Sequence, residues 1–401
     1  MNYIYSDRVK NLGGNAIREI FKLLQDPDVI SFAGGFPTKS TLPTGLIADI
    51  TAKLMASDKA QDILQYGETE GYRPLRLSAI EYVKRYGIEN IDIDNTLIIS
   101  GGQQGIDLTF KTFVNKGDVV LVEDPTYLAS LHILKTYEGV PVGVKSGENG
   151  LDIADLETKI AQYNPKVLYV VPTFSNPTGR TYSIENRKAI AEITAKYNVM
   201  VLEDDPYSEL RFSGQRVPSI KSFDKVGNVT YMTSFSKTLA PGLRTGIAIG
   251  AKEVIRKMTI GKQATDVHTS SLSQAIIDYF LRNNSMDDRL EELKVVYLEK
   301  KTAMLDAIKK YMPKEFKYTN PDGGLFIFGE FDESLGINTL EVFPDLVKKY
   351  KVAYVSGHSF FANEDKFNTL RLNYSNATIE QIEDGICKIG KFFTKLIENK
   401  K

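Results

Sequence analysis

Seven short runs of aliphatic and β-branched residues constrain this chain more than any other feature: 97–100, 119–122, 140–144, 167–171, 199–203, 229–233 and 245–250. Runs this short, apolar at almost every position rather than at alternate ones, fit strands buried on both faces. Several are separated by segments with helical periodicity, notably 104–115 and 184–197. Strand alternating with helix builds an open α/β sheet. The last interval departs from the pattern, with only eleven residues between Thr233 and Thr245. A parallel crossover takes a dozen or more, so the final strand is expected to run antiparallel.

After this sheet comes a long amphipathic stretch, 285–311, then apolar segments at 324–328, 352–355 and 369–374 and a closing helix over 379–398. These predict a second, smaller α+β domain. Ahead of the sheet stand one amphipathic piece, 15–24, and the turn Phe32-Ala33-Gly34-Gly35-Phe36-Pro37. That segment reads as an arm that packs on something else. The expected division is an arm over 1–43, a large domain over 44–284 and a small domain over 285–401, in keeping with 401 residues being long for one core. With no repeat, low-complexity tract or Gly/Ser linker, the domains are expected to touch.

The charges nearly cancel, 50 Lys plus Arg against 51 Asp plus Glu, so no long-range field favours nucleic acid or an anionic membrane. One cysteine, Cys387, leaves no internal disulfide, and His132, His268 and His358 lack ligand-like spacing. No metal site is expected. The first residues carry no basic head with an apolar run, and no stretch is long enough to span a bilayer. A soluble, cytoplasmic protein is the expectation.

Ligands of open α/β sheets bind outside the carboxyl ends of the strands. After the first run, Ser100-Gly101-Gly102-Gln103-Gln104-Gly105 opens a helix, which suits either a phosphate or a plain tight turn. After the second, Tyr127 in Glu123-Asp124-Pro125-Thr126-Tyr127 offers a ring to stack on a planar ligand or simply to pack. The fourth ends in Pro172-Thr173-Phe174-Ser175-Asn176-Pro177-Thr178-Gly179, a rigid loop in which Asn176 both donates and accepts. The fifth runs into Asp204-Asp205-Pro206-Tyr207. An acid there calls for a cationic partner, and at least one of the pair reads as a solvated loop acid. The sixth gives Ser234-Phe235-Ser236-Lys237-Thr238 with Arg244 seven residues on, hydroxyls and a cation for a phosphate around a lysine that can form an imine.

Taken together, Asn176-Pro177-Thr178-Gly179, Asp204-Asp205-Pro206-Tyr207 and Ser234-Phe235-Ser236-Lys237 resemble the fold-type I aminotransferases, in the class I/II branch with the 2-aminoadipate and kynurenine aminotransferases. The resemblance extends from Ile17-Arg18-Glu19 to Arg371. It implies pyridoxal 5'-phosphate as cofactor, held as a Schiff base by Lys237, which then shuttles a proton. It places Asp204 at the pyridine nitrogen, Tyr207 and Asn176 at the phenolic oxygen and Tyr127 on the ring. Gly102, Gln103, Ser234, Ser236 and Arg244 would hold the phosphate, joined by Tyr66 from the neighbouring subunit of a homodimer with shared sites. Arg371 would bind the substrate α-carboxylate, and Gly34 and Gly35 would form the substrate-gating turn. Arg18 resembles an arginine that recognises an acidic side chain, although a surface arginine on an amphipathic helix is an equally available reading. His268 reads as a packed neutral histidine or as part of a dimer-facing rim. The continuation Pro37-Thr38-Lys39-Ser40-Thr41-Leu42-Pro43 lacks the acidic residue and phenylalanine often found before the last proline, which leaves substrate range open.

The implied reaction is a ping-pong transamination between an α-amino acid and an α-keto acid. Glutamate and 2-oxoglutarate would form one pair, and 2-aminoadipate, an aromatic or a branched-chain amino acid would enter the other. The alternatives are a C–S β-lyase using the same cofactor and a cofactor-binding sensor domain without catalysis. The second lacks the basic recognition helix that DNA binding would need.

Overall fold

All seven apolar runs form strands of one sheet, each starting within one residue of its expected position. The computed structural model describes residues 3–10 and 26–400. In chain order its strands are β1 (Ile30–Ser31), β2 (Thr96–Ile99), β3 (Val119–Asp124), β4 (Val140–Gly147), β5 (Gly150–Leu151), β6 (Val167–Val170) and β7 (Met200–Asp204). Then follow β8 (Val229–Ser234), β9 (Gly246–Ile249), β10 (Phe316–Tyr318), β11 (Phe326–Phe331), β12 (Val352–Ala353), β13 (Val355–Ser356) and β14 (Thr369–Asn373).

The large sheet has the order β2-β9-β8-β7-β6-β3-β4-β5. Pairing is parallel from β8 through β7, β6 and β3 to β4. Strand β9 runs antiparallel to both neighbours, as its short connection requires. The sheet has eight strands rather than seven. The extra one, β5, is two residues long and folds back on the end of β4 through Ser146↔Leu151 and Gly147↔Gly150, too short to leave an apolar run. Successive side chains of β6 go to opposite sides: Val167 and Tyr169 join one buried cluster, Leu168 and Val170 another. Both faces are therefore covered, which is why the runs are apolar throughout.

A second, four-stranded antiparallel sheet has the order β10-β11-β14-β13. Strand β10 carried no sequence signal, and segment 352–355 is two strands rather than one. Tyr354 breaks it, sending its hydroxyl to the Thr339 carbonyl at 2.6 Å. As a result β12 pairs in parallel with β1, while β13 pairs with β14. The long helix Met286–Tyr311 starts at Ser285, whose hydroxyl accepts from the Asp288 N–H at 3.0 Å, and packs on the closing helix Ile379–Glu398. Among the described residues no helix is long and apolar enough to cross a membrane. The amphipathic segment 15–24 lies outside the described residues.

This topology aims one edge of the large sheet at the site. Because β2, β3, β6, β7 and β8 run in one direction, their carboxyl ends lie together, and the antiparallel β9 starts at that same edge.

Candidate active site

At this edge opens a cavity of about 400 Å³, and most of the residues singled out from the sequence line it. Gly102 and Gln103 come from the turn after β2, Tyr127 from beyond β3, Asn176 from beyond β6, and Asp204 and Tyr207 from the end of β7. Ser234, Ser236, Lys237 and Arg244 come from the β8–β9 connection. Arg371 reaches in from β14 of the second sheet, and Gly34 and Gly35 cover the opening from the N-terminal side.

Three ionisable groups set the electrostatics. The Lys237 amine donates to the Gly35 carbonyl at 2.8 Å. Burial, with Arg244 and Arg371 nearby, lowers its pKa to about 8, so an appreciable neutral fraction exists near neutral pH. Asp204 is 5% exposed, and its Oδ2 accepts from the Tyr169 hydroxyl at 2.8 Å. Burial raises its pKa to about 7, opposed by the Tyr169 hydrogen bond and assisted by Asp205. Arg371 is 5% exposed, and its guanidinium lies 4.5 Å from the ring centroid of Phe326 and 4.9 Å from that of Phe360. Its Nη1 donates to Asn176 Oδ1 at 2.7 Å and its Nη2 to the Ala33 carbonyl, while Nε has no partner among the described residues. Burial pulls its pKa down to about 10, and among the described residues no carboxylate offsets that. A buried cation without an anion is costly, so the arrangement suits a ligand that brings one.

The β2 turn supplies a cradle. Helix Gly102–Phe113 starts from Gly101 with no side-chain cap, leaving its first N–H groups and its positive end toward the cavity. Gly101 sits at φ 86°, and a Cβ there would lie 2.4 Å from Arg244 Nη2, so only glycine fits. Arg244 donates through Nη2 to the Ser100 carbonyl at 3.0 Å, fixing the guanidinium beside that helix start. The segment that continues from Gly34 and Gly35 is anchored to helix Met286–Tyr311. The Thr38 N–H donates to the Tyr297 hydroxyl at 3.3 Å, and Lys300 donates to Thr38 Oγ1 at 3.2 Å. A Cβ on Gly35 would stand 2.8 Å from Phe326, which explains a small residue there.

Some expectations did not meet in the cavity. Tyr66 is 82% exposed, its ring edge-on to His268 at 6.0 Å, and it does not line this chain's cavity. His268 is half-buried at the surface rather than packed inside. It accepts from the Gly67 N–H at Nε2, which leaves the Nδ1 proton for the Thr269 carbonyl. Arg18 lies outside the described residues. Neither acid of the Asp204-Asp205 pair is a solvated loop acid: Asp205 is 3% exposed and turns away to Tyr231, 3.1 Å off, and the Ser208 N–H, because consecutive side chains at a strand end face opposite ways. Sequence reasoning missed Tyr169, Phe326, Phe360 and the Ala33 carbonyl. Only Tyr169 left a signal, as a polar-tipped residue inside the buried run 167–171.

Comparison with known proteins agrees with this geometry. Residues 27–389 match the family Aminotransferase class I and II. The aromatic-amino-acid aminotransferase 1 of Thermococcus litoralis is 38% identical, over 96% of this chain and 93% of that protein. The kynurenine aminotransferase of Pyrococcus horikoshii, solved with PMP, superposes with a TM-score of 0.92 at 37% identity, over 98% of this chain and 97% of that one. LysN, the α-aminoadipate aminotransferase of Thermus thermophilus, solved with N-(5'-phosphopyridoxyl)-L-leucine, does so at 0.90 and 33% identity, over 98% of both chains. The residues present fit such a cofactor: a buried acid suited to a cationic nitrogen, an uncapped helix start beside Arg244 suited to an anion, and a lysine of lowered pKa line one cavity. This chain therefore belongs to the class I and II aminotransferases, enzymes of fold type I that work with pyridoxal 5'-phosphate.

Proposed function

We propose that the enzyme moves an amino group from an α-amino acid to an α-keto acid in two half-reactions at one site, with glutamate and 2-oxoglutarate as one pair and an aromatic amino acid as the preferred member of the other. The observation that carries this reading is Arg371, a buried guanidinium without an acidic partner among the described residues, which lines the same cavity as Lys237 and Asp204. An α-carboxylate there would accept two charge-assisted hydrogen bonds and hold the α-carbon toward Lys237.

Pyridoxal phosphate, when bound, supplies the electron sink that lets the substrate α-carbon give up a proton. Lys237 Nζ, neutral in part because of its depressed pKa, takes that proton. The Asp204 carboxylate holds a proton on the ring nitrogen, and Tyr169 keeps the carboxylate in place. Tyr207 and Asn176 hold the phenolic oxygen, and Tyr127 stacks. The Gly102 and Gln103 N–H groups, Ser234, Ser236 and Arg244 would hold the phosphate. In the homodimer of this reading, Tyr66 of each chain reaches the phosphate held by the other.

An aromatic substrate is favoured by the rest of the wall. Phe36, Leu128 and Phe326 line it, and among the described residues no basic group other than Lys237, Arg244 and Arg371 does. A 2-aminoadipate-type side chain would need Arg18, so that second reading depends on it. The test is the absorption spectrum of the purified protein during addition of single amino acids. A near-visible imine band that bleaches with glutamate and with phenylalanine or kynurenine is expected. Absence of the band, or pyruvate and ammonia released from a cysteine conjugate without a keto acid, overturns the reading. Faster bleaching by 2-aminoadipate than by phenylalanine, lost in Arg18→Ala, moves the preference to the acidic side chain.

A further inference from the structure

One buried acid takes no part in these roles. Glu123, in β3, is 2% exposed and does not line the cavity. The influences on its carboxyl are burial, three hydrogen bonds and Asp204, with no basic group among them. Oε1 accepts from the Val171 N–H at 3.1 Å and the Ser175 hydroxyl at 3.0 Å, and Oε2 accepts from the Tyr182 hydroxyl at 2.7 Å. Those partners stand before, within and after the loop 172–179, so one carboxyl staples the loop at three points.

The loop is braced from its other side as well. Arg187, 1% exposed, donates to the Pro172 carbonyl at 2.7 Å and to Thr173 Oγ1 at 2.8 Å, and the Tyr182 N–H donates to the Pro172 carbonyl at 2.8 Å. The residue next to the stapled Ser175 is Asn176, whose Oδ1 receives Arg371. An apolar side chain could fill the Glu123 space without the cost of burying a carboxyl. What it could not supply is three directed bonds to one loop. Burial raises the carboxyl to about 8, and in its neutral form the proton sits on Oε2, so that Oε1 still accepts from Val171 and Ser175 while the Oε2–Tyr182 bond is kept with the carboxyl as donor.

We propose that Glu123 is a positioning residue of the transamination site: by fixing Ser175 and both flanks of the loop it sets Asn176, and through Asn176 the angle at which Arg371 meets the substrate carboxylate. This inference rests on the roles proposed above for Asn176 and Arg371. Displacements of an ångström at a reacting geometry cost up to about 100-fold in rate, so a loosened loop has a measurable effect.

The experiment compares the cofactor-loaded wild type with Glu123→Ala and Glu123→Gln, measuring kcat and KM for the amino-acid half-reaction and the rate with the corresponding amine that lacks the carboxylate. Glu123→Ala is expected to raise KM for the amino acid about 10-fold or more, with a smaller change in kcat and with the amine unaffected. Glu123→Gln, which keeps the shape and one acceptor oxygen, is expected within about threefold of wild type. An unchanged KM in Glu123→Ala, or equal losses for amino acid and amine, overturns the proposal. If Glu123→Ala does not fold, Ser175→Ala removes one leg of the staple: a smaller, carboxylate-selective rise in KM supports the proposal, and no selectivity overturns it. Arg371→Ala serves as the reference. If it shows no carboxylate selectivity, the underlying reading fails; if it does and the Glu123 and Ser175 variants do not, only the positioning role fails.

Discussion

Replacing Arg371 with alanine is the perturbation whose outcome follows most directly from the geometry. The guanidinium is 5% exposed, lies close to two phenylalanine rings and, among the described residues, has an unpartnered Nε and no acid beside it. Two hydrogen bonds to a charged carboxylate contribute about 1.5–3 kcal/mol each, so the variant forfeits about 3–6 kcal/mol of transition-state binding. That corresponds to a fall of about 10²- to 10⁴-fold in kcat/KM for the amino acid. Folding should suffer much less. Removing the side chain leaves Asn176 Oδ1 and the Ala33 carbonyl without their donor, but it also removes a desolvated charge that no carboxylate among the described residues offsets. Single-turnover decay of the cofactor band, with the amino acid and with its decarboxylated amine, separates the effects. The loss should be confined to the amino acid, so that wild type and variant turn over the amine alike. A variant that keeps kcat/KM for the amino acid within about threefold, or loses the amine reaction equally, refutes the carboxylate-binding role.

In cofactor-free protein the Lys237 pKa is lowered from 10.5 to about 8, by burial first and by Arg244 and Arg371 next. Between those values the unfolded chain holds more protons than the folded one, so wild-type stability gains from this group as pH rises from about 8 toward 10.5. Lys237→Met is accordingly the more stable at about pH 7 and loses that advantage by pH 10.5; parallel curves of Tm against pH for the two proteins would count against the depressed amine. If sites are shared across a homodimer, mixing subunits of Lys237→Ala with subunits of Tyr66→Ala restores one intact site per mixed dimer, about a quarter of wild-type activity at full exchange. Activity equal to the average of the two parents would place Tyr66 outside the partner's site.

Much of the large sheet was legible because burial on both faces writes itself as unbroken apolar runs, as in Val167–Val170, and because a short connection forces the direction of β9. The residues of the cavity that follow those runs could be named for the same reason. What could not be read is what two or three residues decide. Strand β10, Phe316–Tyr318, and β5, Gly150–Leu151, are too short to show a period. Strand β11 begins at Phe326 rather than at residue 324 because Gly324 stands at φ 76°, outside any strand conformation. The choice of Asp204 over Asp205 depended on family resemblance at the sequence level, and in the fold Asp204 lines the cavity while Asp205 takes the other face at the end of β7. The approach of Arg371 to Phe326 and Phe360 joins residues from distant segments, and no local pattern encodes such a meeting.

The pairing of β1 with β12 and the bond from Arg371 to the Ala33 carbonyl, 338 positions away, have a consequence for synthesis on the ribosome. The large sheet can assemble while the last hundred or so residues are still in the exit tunnel or unmade, and with it the cradle and the lysine. The covering turn at Gly34 and Gly35 can meet Lys237 and, through Thr38, the helix Met286–Tyr311 earlier, but its bonds to β12 and β14 form only when those strands emerge. A nascent or truncated chain would thus carry the groups proposed to hold the cofactor before Arg371, the group proposed to hold the substrate, and completion of the carboxy-terminal sheet is the step that adds it to the cavity.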